Sequence, residues 1–255
     1  MSGFLTSERL RDIEARLARD GRVVAAELAR LYATSEDTVR RDLRALAAEG
    51  RCMRVHGGAL PATPADGPVS ARLRLAPAAK AALGAALARL VEPGMTVFID
   101  AGTTTLACAE RLAVPGVTVV THAPVIAAAL VEREGVRLVT LGGQVDPLVG
   151  AALGPGVLAA LEAIRPDLLL LGACGVDAAA GITAHSLDDA FVKRLVAARS
   201  ARVAVAADRT KLGTAAPFAV IGLEACDHLV VEAATDPDIR ARLGEAGPTL
   251  ILVET

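Results

Sequence analysis

Apolar positions in the first sixty residues recur at helical spacing and stop at polar or glycine breaks. Leu10, Ile13 and Leu17 share one face of a helix that Asp20-Gly21 ends. Val24, Leu28 and Leu31 form a second stripe. Ser35 is a good N-cap, and Glu36 and Asp37 suit the positive end of a helix dipole. Val39, Leu43, Leu46 and Ala47 then make a third stripe, which Gly50 closes. The next residues, RCMRVHGGA, have the form of a hairpin or wing turned at Gly57-Gly58. From about residue 78 the pattern changes. An alanine-rich helix over 78–91 leads into the apolar runs TVFID, VTVVT, VRLVTL, DLLLL, ARVAVA, HLVVE and TLILVE. Helical stretches such as PVIAAALVERE and DDAFVKRLVAARS separate most of them. Continuous apolar strands alternating with helices predict an α/β layer around a buried, mostly parallel sheet. Between the two patterns, residues 59–77 carry Pro61, Pro64, Pro68 and Pro77 among small residues, the composition of a linker. The expected organisation is a small helical domain over 1–58, a linker over 59–77 and an α/β domain over 78–255.

Composition narrows the function. Hydrophobic residues make up 53% of the 255, enough for a substantial core. With no Trp, one Tyr and four Phe, the chain offers no stacking platform for single-stranded nucleic acid. Cys52, Cys108, Cys174 and Cys226 lie far apart without C-x-x-C spacing, so neither a metal site nor a disulfide framework is expected. The N-terminus turns charged within a few residues, unlike a secretory leader, and no apolar run approaches the roughly 18 residues of a membrane span. A cytoplasmic protein without membrane partners is expected.

The net charge of −2 conceals an asymmetry. The first 58 residues hold eleven arginines against nine acids, and five of those arginines fall between 38 and 58. On a helical wheel Arg41, Arg44, Thr38 and Ala45 lie opposite the Val39–Leu43–Leu46 stripe, with Arg40 on the flank. Most arginine-bearing helices only show a charged face to solvent. Here the order of parts (helix, short helix, capped basic helix, basic wing) fits helix-turn-helix docking into a major groove. Arg51, Arg54 and His56 in the wing are then placed for phosphates or an adjacent minor groove.

In the α/β domain, TVFID runs into AGTTTLACAERL: a strand, then Gly102 with Thr103 and Thr104, then a helix start, an arrangement that suits an anion. Asp100 closes that strand. Thr121 and His122 precede Pro124, Gly142 and Gly143 end another strand, and Asp208 and Lys211 follow a third. Such loops at strand carboxyl ends are expected to share one ligand crevice. There is neither G-x-G-x-x-G nor G-K-[ST], so no nucleotide cofactor is expected.

SEDTVRRDLRALAAEGRCMRVHGGA closely resembles the winged helix-turn-helix signature of the DeoR family of bacterial transcriptional regulators. DAGTT, TH, GG, LGACG, FVKR and DRTK then follow in the order of that family's sensor domain, with His122 where the family usually has Asn. The resemblance implies a homo-oligomeric repressor, dimer or tetramer, of sugar or related carbon metabolism. It would bind double-stranded operator DNA and respond to a phosphorylated sugar or similar metabolite. Thr38, Arg40, Arg41, Arg44, Arg54 and His56 would face DNA. Asp100, Gly102, Thr103, Thr104, Thr121, His122, Gly142, Gly143, Lys193, Asp208 and Lys211 would face the effector. The sensor fold would be similar to ribose-5-phosphate isomerase, which raises the rival reading of an isomerase with an appended DNA-binding arm. Those isomerases carry an acidic pair where this chain has Cys174 and Gly175, so no catalytic residue is expected. A sensor domain that binds only protein partners is a third reading, less favoured by the dense Gly/Thr loops.

Overall fold

The computed structural model describes residues 6–20, 23–48, 51–55, 57–61 and 69–255. The chain divides into two compact units, residues 1–67 and 68–255.

In the first unit, α1 (Thr6–Asp20), α2 (Ala25–Leu31) and α3 (Glu36–Ala48) pack around Ile13, Leu17, Leu28, Val39, Leu43 and Leu46. Ser35 caps α3 as its sequence position predicts, its Oγ accepting from the Thr38 amide at 3.2 Å. The second stripe differs from expectation. Leu31 is 48% exposed, and Tyr32 takes the buried place beyond Leu28, its hydroxyl donating to Asp12 at 2.7 Å. The chain turns between α2 and α3 through Ala33, whose φ of 49° lies in the left-handed region. The wing is three-stranded. β2 (Cys52–Val55) and β1 (Val23–Val24) both pair antiparallel with β3 (Gly58–Pro61). Gly58 is obligatory there, because a Cβ would stand 1.9 Å from the Val23 carbonyl oxygen. Within 59–77, marked by composition as linker, the first residues complete β3, and Val69–Arg72 form the short helix α4.

The second unit is built on a seven-stranded parallel sheet. In chain order its strands are β4 (Thr96–Ile99), β5 (Val117–Thr121), β6 (Val136–Thr140), β9 (Leu168–Leu171), β12 (Val203–Ala207), β14 (His228–Glu232) and β15 (Thr249–Val253). Their spatial order is β15-β14-β12-β9-β4-β5-β6. Alternate residues serve opposite faces. Val97, Ile99, Leu168, Leu170, Ala204 and Ala206 pack in the core on one side, and Phe98, Leu169, Leu171, Val203, Val205 and Ala207 in the core on the other. Both faces of the central strands are covered, which is why those strands read as unbroken apolar runs, whereas the edge strands β6 and β15 are partly exposed. Helices α5 (Pro77–Ala88), α6 (Thr103–Ala109) and α7 (Pro124–Leu130) serve the first side; α8 (Pro155–Leu161), α9 (Leu187–Arg199) and α10 (Pro237–Glu245) serve the second. The hairpin β7 (Gln144–Asp146)–β8 (Ala151–Leu153) and the antiparallel set β10 (Gly175–Asp177), β11 (Gly181–Ala184) and β13 (Phe218–Ile221) complete the unit.

From β4 the chain winds outward through β5 to β6; it then re-enters at β9 on the other side of β4 and winds the opposite way. The boundary between β4 and β9 is therefore a topological switch point. Loops diverge there, and a crevice opens outside the strand carboxyl ends.

Candidate DNA interface and effector crevice

Helix α3 presents its arginines as the wheel predicts. Arg40, Arg41 and Arg44 are exposed, whereas Val39, Leu43 and Leu46 are buried beneath them. Arg40 pairs with Glu36 one turn back at 2.9 Å, and Arg44 Nε donates to the Arg40 carbonyl at 3.2 Å. Arg41 has no polar partner among the described residues, so its guanidinium stands open to solvent. Thr38 is half-buried, with its Oγ1 3.0 Å from Ser35 Oγ. A buried ion pair between Arg9 and Asp42, 2.8 Å, fixes α3 against α1. Asp42 is thus a structural member of an otherwise basic stretch. Arg51 forms an ion pair with Glu14 of α1, so it braces the wing base rather than reaching outward as expected. The Arg54 side chain and His56 lie outside the described residues.

At the switch point Asp100 follows β4 directly and is fully buried. Its Oδ2 accepts from the Gly172 amide at 2.8 Å and pairs with Lys193 of α9; its Oδ1 lies 3.1 Å from His122 Nε2. A side chain at Gly172 would come 2.4 Å from the Ala101 carbonyl oxygen, so glycine is what allows this approach. Burial alone raises the Asp100 carboxyl pKa, but the Lys193 charge and the His122 contact outweigh it and hold the group below the usual range. Burial opposes the charge on Lys193 as well. Asp100 and Asp189, the latter 3.4 Å away, overcome it and raise its pKa. Asp189 itself is pushed up by burial.

His122 is the hinge between this cluster and the neighbouring cleft. Its Nδ1 is 2.9 Å from the Ala152 carbonyl of β8 while Nε2 faces the Asp100 carboxylate. Between them these two contacts fix the plane and position of the ring. The cleft beside it, about 320 Å³, is lined by His122, Pro124, Leu141, Gly142, Gly143 and Val145 among others. It is walled by the β7–β8 hairpin and lies at the carboxyl ends of β5 and β6.

The expected effector residues therefore separate into two neighbouring groups. Thr121, His122, Gly142 and Gly143 line the cleft. Asp100 and Lys193 form the buried cluster, and Lys211 lies within electrostatic reach of Lys193 and Asp208. Not every expected hydroxyl is available. Thr121 Oγ1 donates to the Ile99 carbonyl at 2.7 Å and accepts from the Ala123 amide at 3.2 Å, tying β5 to β4 instead of facing a ligand. Thr103 and Thr104 are buried at the start of α6 beside Gly102, and Thr104 Oγ1 has no hydrogen-bond partner among the described residues. Asp208 Oδ1 accepts from the Thr210 amide at 3.0 Å and shapes its own turn. Asp189 and Lys80 are buried members that sequence reading passed over: an Asp–Lys pair at i,i+4 reads as a surface pair, and a lone Lys in an alanine-rich helix reads as solvated.

The run that would hold the isomerase acids provides no base. Gly175 has no room for a side chain, since a Cβ would sit 2.6 Å from the Thr214 carbonyl oxygen. Asp177 Oδ1 accepts from the amides of Ala179 and Ala180, both at 2.9 Å, and serves a turn. Among the described residues no His/Cys/Asp/Glu group could hold a metal ion, and no helix is long and apolar enough to cross a membrane.

Residues 9–64 match the family model of the DeoR-like helix-turn-helix domain, and residues 76–233 match that of the DeoR C-terminal sensor domain. The chain belongs to the DeoR family. It is a DNA-binding transcriptional regulator, not an enzyme. Among its DeoR-family relatives, the HTH-type transcriptional regulator GlpR of Haloferax volcanii is 32% identical, with 97% of this chain and 98% of that one covered. The HTH-type transcriptional repressor GlcR of Bacillus subtilis is 30% identical, with 97% and 96% covered. The glycerol-3-phosphate regulon repressor of Escherichia coli is 28% identical, with 76% and 78% covered. Among solved structures, a D-ribose-5-phosphate isomerase is similar over 52% of each chain at 13% identity and a TM-score of 0.38. The sorbitol operon regulator SorC of Klebsiella pneumoniae is similar over 95% of this chain and 100% of that one, at 12% identity and a TM-score of 0.37.

Proposed function

We propose that this regulator is a repressor of a sugar or related carbon-metabolism operon, released from its operator by a phosphorylated sugar or similar metabolite. Thr38, Arg40, Arg41 and Arg44 engage the major groove, and Arg54 and His56 of the wing reach phosphates or the minor groove. The effector occupies the crevice at the switch point. His122 lines the cleft that receives its hydroxyls, the buried Asp100–Lys193 pair fixes that ring, and Lys211 offers charge to its phosphate. The observation that carries the reading is the buried Asp100–Lys193–His122 cluster at the carboxyl ends of β4 and β5, beside a cleft of ligand size. The repressor names of several relatives support the sign of control. We also propose that the working form is a dimer or tetramer in the cytoplasm, because paired heads on a repeated operator gain avidity.

The test is a panel of sugar phosphates titrated against the protein bound to DNA from upstream of its own gene. One phosphorylated sugar is expected to lower operator occupancy at micromolar to millimolar concentration while its unphosphorylated form does not. Operator binding that no member of the panel alters would defeat the reading.

A further inference from the structure

Among the described residues the seven-stranded sheet has two open edges, β6 and β15, and the chain guards them differently. β6 carries Arg137 within the strand, and a charge there discourages a further strand from pairing. β15, Thr249-Leu250-Ile251-Leu252-Val253, has no charge, no proline and no shift of register against β14. Its main-chain groups alternate in direction. The Thr249 amide donates to the Asp227 carbonyl at 3.0 Å, and the Val253 carbonyl accepts from the Ala233 amide at 2.8 Å. Thr249, Ile251 and Val253 therefore turn their peptide groups toward β14, and Leu250 and Leu252 turn theirs outward. The side chains of those two leucines lie on the α10 face, in a groove of about 570 Å³ between α10 and β15. Leu252 is 49% exposed there.

The groove also holds two opposite charges, Arg240 and Glu245 of α10. Among the described residues neither side chain has a hydrogen-bond or ion-pair partner, and Arg240 Nε is buried without one. Their order along the groove is fixed. A Cβ on Gly244 would stand 3.4 Å from Leu250 Cδ1, so the Glu245 end of α10 lies over Leu250. Arg240 is a turn earlier, on a helix that runs against the parallel strands it joins, and so lies toward Leu252. Resting on the proposal that the working form is a dimer or tetramer, we infer that β15 pairs antiparallel with β15 of a second copy, about a two-fold axis through Ile251. Leu250 of each copy then lies opposite Leu252 of the other, and their outward amides and carbonyls close four hydrogen bonds. The four leucine side chains meet on the α10 face as cross-strand pairs. The same rotation carries the Arg240 end of one α10 to the Glu245 end of the other, so each groove supplies the counter-charge that the other lacks. Such self-complementarity is what a two-fold interface requires. A foreign strand would satisfy the backbone alone.

The experiment follows the assembly of the full-length chain by sedimentation velocity over a concentration series. Leu252→Lys sets a charge on the seam at a position half exposed in the single chain. It is expected to halve the assembly, dimer to monomer or tetramer to dimer, with an unchanged circular dichroism spectrum. Arg240→Glu is expected to raise the dissociation constant roughly tenfold or more through like charges brought together. Adding Glu245→Arg to that variant is expected to restore assembly; no ion pair joins the two positions within one chain, so the rescue reads a contact between copies. Ile251→Cys is expected to form an intermolecular disulfide on mild oxidation, since opposed residues without mutual hydrogen bonds have Cα atoms about 4.5 Å apart. Val253→Cys, which this register sets opposite Thr249, is expected not to. An assembly unchanged in Leu252→Lys, or no cross-link through Ile251→Cys, would overturn the inference and leave the oligomer reading to another face. A wild type monomeric at every concentration, its edge left for another protein's strand, would overturn both.

Discussion

Lys193 shows how much one residue can hold. It neutralises a fully buried Asp100 and contacts Asp189 one turn away, so its loss strands two acids in a dry site. Lys193→Met is expected to destabilise the second unit by about 3–5 kcal/mol at neutral pH, the cost of breaking a buried pair from one side. Urea denaturation measures it. The pH dependence has a definite sign. Asp100 is held below its unfolded value, so the pair's contribution is complete above about pH 4 and is lost as the pH falls through the folded value near 2. The gap between wild type and Lys193→Met is therefore expected to shrink across that window; a gap that stays constant would place the stabilisation elsewhere. Sequence showed Asp100 and Lys193 as separate motif residues. Their meeting was not legible, because a sequence separation of 93 and a crossover of the sheet divide them.

At the scale of elements, the wing and α3 make independent claims. Gly58 lets β3 lie against Val23, so Gly58→Ala is expected to push the strands apart at a cost of about 1–3 kcal/mol, typical of overpacking. Chemical denaturation followed by a probe in the first unit reads that loss. Arg41, exposed and uncommitted on α3, is expected to carry operator contact. Arg41→Ala should weaken specific binding by about 1–3 kcal/mol, measured by titration at fixed salt, with melting unchanged. Most strands were legible because both sheet faces are buried, which leaves residues such as Leu168–Leu171 no polar alternation. The hairpin β7–β8 and the set β10, β11 and β13 were not. They are three or four residues long, and Ala, Gly and Thr within them give no periodic signal. In the first unit the second stripe was misjudged at both ends: Val24 belongs to β1 and not to the helix, and the last helical turn hands its buried position from Leu31 to Tyr32.

For the whole molecule, control of DNA by a small metabolite requires that the metabolite favour one arrangement of the chain over another. The joint that can register such a preference begins with α4. Val69 of that helix covers Gly150, where a Cβ would stand 2.2 Å from its Cγ2, and Arg72 grips the same turn. Immediately before α5, Ala76 adopts a φ of 44°. An L-residue with a side chain pays roughly 1–2 kcal/mol in that region, which glycine escapes. Ala76→Gly is accordingly expected to steady the ligand-free protein slightly and to blunt its response, raising the effector concentration needed for half-release in the operator titration. A sharper response in that variant would mean the joint carries no tension. With the response blunted as expected, one methyl group acts as a calibrating weight: too small to unfold anything, yet comparable to the roughly 1–3 kcal/mol typical of coupling between two sites.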